Sequence, residues 1–443
     1  MTKEKKFLGI DVAEDLKAVN FAGIYIICAL LMLAYMIPTI ALPRLLKETI
    51  GVGDTNFGTI NSAIQILGSL TNIIFLGYVG FLSDRYGRKF LLTYGMLFAS
   101  LAFVIYSLPL FFSSVFGVSA LIFVFIFHFF FSLAMTFAFP QMITITADYT
   151  SFKSRGKAMA VASTMMGVGV TGSFFLFSKV QYTYGVLSLF FLGAGICFIT
   201  FLIGKFMVID RYSERHKKNR EEKDESAGQK WKIVFAELKK NRGLKFCIVS
   251  TFPSSVDRII LGIFIFIWAV ESAPEYGISN AKATAMAGIV VGLSSLCALL
   301  STPFWGIVVD RIGRMPILVT GLTLKGSGFL LIGLASSPFS LQVKLAGILT
   351  GLGVAAVSVG TSTLTADLAP KKILGSVLGV SNTVGSLGTL SFVQIGGIIF
   401  DQISHSSPFL LVGLADMTAL IYGLTVWKDI PKINRHSNYK DTA

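Results

Sequence analysis

Apolar residues in this chain fall in long unbroken runs, each closed by a short polar joint, without the one-sided or alternating patterns of soluble domains. A run of roughly 20 apolar residues, coiled at 1.5 Å per residue, matches the ~30 Å hydrocarbon thickness of a bilayer. On that basis the pattern predicts twelve membrane-crossing helices, over 18–43, 57–82, 90–112, 118–146, 157–179, 186–208, 244–270, 284–306, 316–336, 341–366, 373–399 and 407–427. Six lie on each side of a long polar stretch. The chain thus divides into a tail (1–17), a six-helix bundle (18–208), a connector (209–243), a second six-helix bundle (244–427) and a closing tail (428–443). The fold class expected is all-α and integral to the membrane.

Composition agrees: 53% of residues are hydrophobic, 14% are charged and the mean hydropathy is +0.72, against ~25% charged in ordinary globular domains. A net charge of +14 would fit nucleic acid, but its placement does not. With joints assigned alternately to the two sides, 31 of the 38 Lys and Arg collect on the side of the termini and five on the other, while Arg258 and Lys325 fall inside spans. Such a split sets orientation, with both termini cytoplasmic, and a bacterial inner membrane is the expected location. The first nineteen residues have no signal-peptide apolar core, so the first span is expected to serve as the insertion signal. In the connector a charge-dense run, expected to be flexible, gives way to Trp231, Val234, Phe235 and Leu238 on one helical face. That face predicts a helix lying at the headgroups. Cys28, Cys197, Cys247 and Cys297 lack metal spacing and read as apolar packing residues.

One joint occurs twice, 226 residues apart. Gly80-Phe-Leu-Ser-Asp84-Arg85-Tyr-Gly87-Arg88-Lys89 follows the second span, and Gly306-Ile-Val-Val-Asp310-Arg311-Ile-Gly313-Arg314 follows the eighth. A second landmark repeats as well: Asp148 and Gly156 are eight residues apart, as are Asp367 and Gly375. Two matched landmarks per half indicate duplication. Gly87 and Gly313 suit a tight reversal with positive φ, and Gly80 and Gly306 would let another helix approach closely. Asp84 and Asp310 sit at helix ends, placed to pair with an arginine or to face the positive end of a helix near Gly375 or Gly156. The accompanying Arg85, Arg88, Arg311 and Arg314 set topology or join such a gate.

These motifs resemble the major facilitator superfamily, whose signature loop follows the second span with a weaker copy after the eighth. The resemblance covers essentially the whole chain. It implies two pseudo-symmetric six-helix bundles moving by alternating access, with the motif loops as a gate.

Charges inside spans are costly, about 2.5–3.5 kcal/mol each on the insertion scale. Asp257 and Arg258 lie near the midplane of the seventh span, where Pro253 should bend the helix. Asp257 is a candidate for a coupling proton and Arg258 for an anionic group, unless the two form a local ion pair. Lys325 and Asp416 lie at equal depth in the ninth and twelfth spans, which suggests an intramembrane ion pair. The resemblance implies that those spans flank the bundle away from the cavity. His128 shares a face with Ser132, Met135 and Phe139. Tyr35, Gln65 and Asn382 are further candidates for solute or proton contact, with Asn61 and Gln394 beside them.

No nucleotide-binding motif, metal cluster or nucleophile–base set appears in the sequence, so neither an enzyme nor a cofactor is expected. The expectation is a monomeric secondary transporter of a small organic solute, coupled to protons. Efflux of an amphipathic compound leads, although the fifth span (Gly167 to Ser173) lacks the proline of many antiporters. Proton-coupled uptake of a small organic anion, facilitated diffusion, and a non-transporting scaffold or sensor stay open.

Overall fold

The computed structural model describes residues 5–7, 9–12, 16–150, 154–211, 227–370 and 373–430. The charge-dense part of the connector, predicted flexible, lies outside the described residues. Among the described residues, twelve helical segments are long and apolar enough to cross a membrane, from Ala18–Ile50 to Ser407–Asp429. The chain is a multi-pass integral membrane protein.

Three of the predicted spans break beside a proline, at Pro38, Pro109 and Pro253, whereas Pro140 and Pro303 lie inside continuous helices. The first span is α1 (Ala18–Tyr35) followed by α2 (Ile37–Arg44) and a π-helical turn, Leu45–Ile50. Pro38 lacks the N–H that would continue α1. The second span is α3 (Phe57–Tyr86). The third was expected to run to residue 112, but α4 (Arg88–Tyr106) stops earlier and Pro109 opens a separate α5 (Pro109–Phe116). There Ser107 Oγ donates back to the Val104 carbonyl at 2.7 Å, which closes the helix. The first half ends with α6 (Ala120–Asp148), α7 (Arg155–Tyr184) and α8 (Leu187–Met207).

After α9 (Ala227–Lys240) in the connector, the seventh span is parted, not merely bent. It comprises α10 (Arg242–Ser254) and α11 (Asp257–Ser272), with the break just after Pro253. Then follow α12 (Asn280–Ile312), α13 (Arg314–Gly333), α14 (Leu341–Leu368), α15 (Leu374–Gln402) and α16 (Ser407–Val426).

The halves repeat their neighbour relations. In the first, α4 packs on α6 and α8, and α1 on α7 and α8; in the second, α13 packs on α14 and α16, and α10 on α15 and α16. One crossing is duplicated to the residue. A Cβ on Gly169 of α7 would strike the Ala29 carbonyl of α1, and a Cβ on Gly388 of α15 would strike the Phe252 carbonyl of α10. Only glycine lets these backbones approach so closely. Their offset of 219 is that of Gly156 and Gly375.

Contacts divide the chain into two units whose border does not fall in the connector. Residues 1–223 group with 262–292, and 224–261 with 293–443. Within the first unit, Gly262 of α11 lies against Thr39 and Phe174, and Gly288 of α12 against Ser178 and Phe174. Lys47 Nζ reaches Glu271 Oε1 at 2.7 Å, with Asp54 also paired to Lys47. A short hairpin of β1 (Lys5–Phe7) and β2 (Ile10–Val12), absent from the expectation, turns at Gly9 with φ +73°. It docks through Ser154 Oγ, which donates to Asp11 Oδ2 at 2.7 Å, and through Phe7, whose ring meets Phe21 edge-on at 5.3 Å.

The connector helix departs from the expectation in its placement. Val234 and Leu238 of α9 are buried in a cluster with Leu244, Ile248, Val377 and Val380, so protein covers much of the face assigned to headgroups. Phe235 stays exposed, and the Trp231 side chain lies outside the description. Burying Val and Leu side chains against α10 and α15 contributes about 1.5–3 kcal/mol each relative to leaving them in water.

Candidate functional site

The break between α10 and α11 creates the main charged feature of the second unit. Asp257 opens α11, where the positive end of the helix dipole favours a carboxylate. Adjacent helical residues point about 100° apart, so Asp257 and Arg258 diverge. Asp257 turns inward: its Oδ2 accepts from Lys325 Nζ at 2.7 Å. The same ammonium lies 2.8 Å from Asp416 Oδ1 and donates to Ser254 Oγ at 2.9 Å. Lys325 and Asp416 are 0% exposed and Asp257 2%. Among the described residues Asp257 Oδ1 and Asp416 Oδ2 receive no hydrogen bond. The sequence kept Asp257 apart from a Lys325–Asp416 pair, whereas the structure joins all three. Equal depth in three spans was the available signal; the broken helix that aims Asp257 at α13 was not readable.

Arg258 points the other way. It is exposed, midway along the span Arg242–Ser272, and makes no hydrogen bond or ion pair with another described residue. The alternative of a local Asp257–Arg258 ion pair gives way to Asp257–Lys325. Cluster charges sum to zero only when Arg258 is counted: two carboxylates, one ammonium and one guanidinium. Asn382 of α15 and Tyr35 at the end of α1 are also exposed.

His128 sits elsewhere. It is buried inside the first unit, its Nδ1 3.3 Å from Tyr106 Oη, with Gly68 of α3 leaving room beside Nε2. Ser132 and Met135 turn into the same packed interior. A hydroxyl partner and a glycine gap hold this imidazole in the bundle, away from an aromatic solute surface. On α3, Asn61 is buried with neither amide atom partnered, and Gln65 one turn on has its Nε2 unpartnered, among the described residues.

At the motif joints, Gly87 and Gly313 adopt φ of +89° and +97°, the reversal expected of them. Gly80 and Gly306 differ from expectation: a Cβ there meets nothing within 4 Å, so no helix presses on either. Arg88 pairs with Asp148, and Arg314 Nε with Asp367 Oδ2 at 2.7 Å. The second motif arginine of each half therefore meets the landmark aspartate of its own half, a pairing the sequence reading did not anticipate. Asp310 Oδ1 lies 3.7 Å from Arg314, choosing the nearby arginine. Arg85 stands over the Tyr86 ring at 5.4 Å, and Arg311 is exposed. The side chain of Asp84 lies outside the description.

Duplicated crossings and duplicated motif pairs define a membrane protein built from two copies of one six-helix repeat. The sequence matches the model of the Major Facilitator Superfamily over residues 24–279 and 248–441, and the chain belongs to that family. It is similar to the magnetosome protein MamH of Paramagnetospirillum magneticum, 26% identical over 417 residues and 94% of each chain. The magnetosome protein MamZ of Magnetospirillum gryphiswaldense is 28% identical over 381 residues, and this chain spans 58% of its length. Multidrug resistance protein 2 of Bacillus subtilis is 25% identical over 392 residues, covering 82% of this chain and 84% of its own. The crystal structure of the nucleoside transporter NupG superposes with a TM-score of 0.69 at 13% identity, over 93% of this chain and 100% of that one, a likeness of fold.

Proposed function

We propose that this protein is a gradient-driven carrier that takes up a small organic anion together with protons. The observation that carries the reading is Arg258, an exposed guanidinium halfway through a membrane span, without an ion-pair partner among the described residues. Arginine at that depth is costly unless it looks into a polar space or meets an anion. Its guanidinium offers a planar fork suited to carboxylate or phosphate. Asp257, next in the chain, couples that site to protons. The excess of basic residues on the side of the termini supports a cytoplasmic placement for both, with the motif joints gating the cytoplasmic side and the protein acting as a monomer.

The test is thermal stabilisation of the purified full-length protein by a panel of small carboxylates, sulfonates and organic phosphates. A ligand at 100 times its Kd adds about 2.7 kcal/mol to stability. At least one anion should raise the Tm of the wild type, and Arg258→Gln should bind it at least about tenfold more weakly. With that anion, Asp257→Asn should abolish proton-driven accumulation in proteoliposomes while leaving exchange partly intact. Full accumulation by this variant would remove Asp257 from coupling.

Efflux of an amphipathic compound is the second reading, favoured by the similarity to multidrug resistance protein 2 over most of both chains. It takes precedence if lipophilic cations stabilise the protein and no anion does.

A further inference from the structure

Four charged groups share the middle of the second unit, and their arithmetic has a consequence for how solute and proton are linked. Lys325 is held by two carboxylates at 2.7 and 2.8 Å, so this buried trio alone carries one excess negative charge. Arg258, adjacent to Asp257 in the chain, supplies the balancing positive charge from an exposed position. The neighbouring helices bring no other acid, amine or imidazole to that depth among the described residues. Here α10 offers Ser254 and Cys247, α12 offers Cys297, and α16 has Tyr422 nearer its end. Lys344 and Asp367 lie toward the ends of α14, and Asp401 near the end of α15. Glu271 of α11 lies near its far end, and Arg314 is at the start of α13.

We propose that Asp257, Lys325 and Asp416 together form the proton site of this carrier, and that neutralising Arg258 with an anion is what loads it. This deepens the anion reading and rests on it. Without solute the four charges cancel and both carboxylates stay ionised around Lys325. When a monovalent anion occupies Arg258, the guanidinium no longer balances the trio, and a buried uncompensated charge is strongly disfavoured. One proton from water then bonds to a carboxylate oxygen of Asp257 or Asp416. Lys325 remains with the carboxylate that stays ionised. Three carboxylate oxygens here lack a hydrogen-bond donor among the described residues; Asp416 Oδ1 faces the Lys325 ammonium, and Asp257 Oδ1 and Asp416 Oδ2 are the open positions for that proton. One anion and one proton therefore bind together without net charge. Lys325 is a positioning residue here: it touches no solute and carries no transported proton, yet it fixes how many protons accompany the solute.

Arg258→Gln imitates the anion-occupied state, so the linkage can be tested without any solute. Purified wild type, R258Q, R258K and the double variant R258Q/D416N are placed in phosphatidylcholine liposomes and followed by infrared difference spectroscopy across pH. At neutral pH, R258Q should show a protonated-carboxyl band, about one carboxyl per protein, that wild type lacks. R258K, which keeps the charge, should match wild type. R258Q/D416N, with one carboxylate for one ammonium, should lose the band. Identical spectra for wild type and R258Q, with both proteins folded by their melting curves, would overturn the proposal. So would a band that persists in R258Q/D416N. These outcomes are independent of the stabilisation screen: the band with no stabilising anion sinks the anion reading alone, whereas an anion without the band sinks the linkage alone.

Discussion

Lys325 is the residue on which the second unit's polar interior turns. Its ammonium is fully buried and satisfies parts of two carboxylates and one hydroxyl. Truncation to alanine leaves two buried carboxylates without a cation, and breaking a buried pair costs about 3–5 kcal/mol. Lys325→Ala should therefore lower the melting temperature sharply and yield little monodisperse protein on gel filtration. The triple variant Asp257→Asn, Lys325→Met, Asp416→Asn should recover that stability, because replacing a buried ionic cluster by neutral groups is often neutral or stabilising. It should at the same time abolish accumulation of any solute. A triple variant as unstable as Lys325→Ala would show that the site's shape, not its charge, is what the surroundings require. Much of this was legible beforehand: four charged residues inside spans stood out, and the matched depth of Lys325 and Asp416 pointed to pairing. What stayed hidden was direction, since a sequence does not say which way the chain turns after Pro253.

Among the elements, the glycine crossings carry the clearest expectation. Gly169 and Gly388 each stand where a Cβ would meet a backbone carbonyl, and backbone is slower to yield than a flexible side chain. Overpacking of this kind typically costs about 1–3 kcal/mol. Gly388→Val should reduce the melting temperature, and Gly169→Val should do so by a similar amount if the halves share one design. A change at Gly80 or Gly306, where nothing lies within 4 Å, should leave it nearly unmoved. The motif pairs invite a double-mutant cycle: Arg314→Ala and Asp367→Ala should show a coupling of about 0.5–3 kcal/mol, additive costs being the contrary result. Element positions followed closely from hydropathy, because a bilayer demands length and apolarity above all. Element ends did not: α4 closes early at Ser107 and Pro109, and α9 docks against α10 and α15, since both outcomes depend on contacts made after the chain has folded.

At the scale of the molecule, the division of α11 and α12 between two contact units matters most. Residues 262–292 group with the first six helices although they belong to the second half of the sequence, and Lys47 ties Glu271 to that group. Cysteines introduced as Lys47→Cys and Glu271→Cys, in a background lacking the four native cysteines, should cross-link on oxidation. The cross-linked protein should stop turning over and regain activity on reduction; undiminished flux after cross-linking would mean that this contact persists through the cycle. The duplication predicted two halves meeting at the connector, and the first part of that expectation rested on repeated motifs. The grouping of residues 262–292 with the first unit was invisible to it, because a helix hairpin can side with either half without altering its hydropathy. Leu261, the last residue of the second unit before this border, lies four residues beyond Asp257, about 6 Å along a helix. Asp257 therefore stands within one helical turn, along α11 itself, of the residues that this helix contributes to the packing of the first unit.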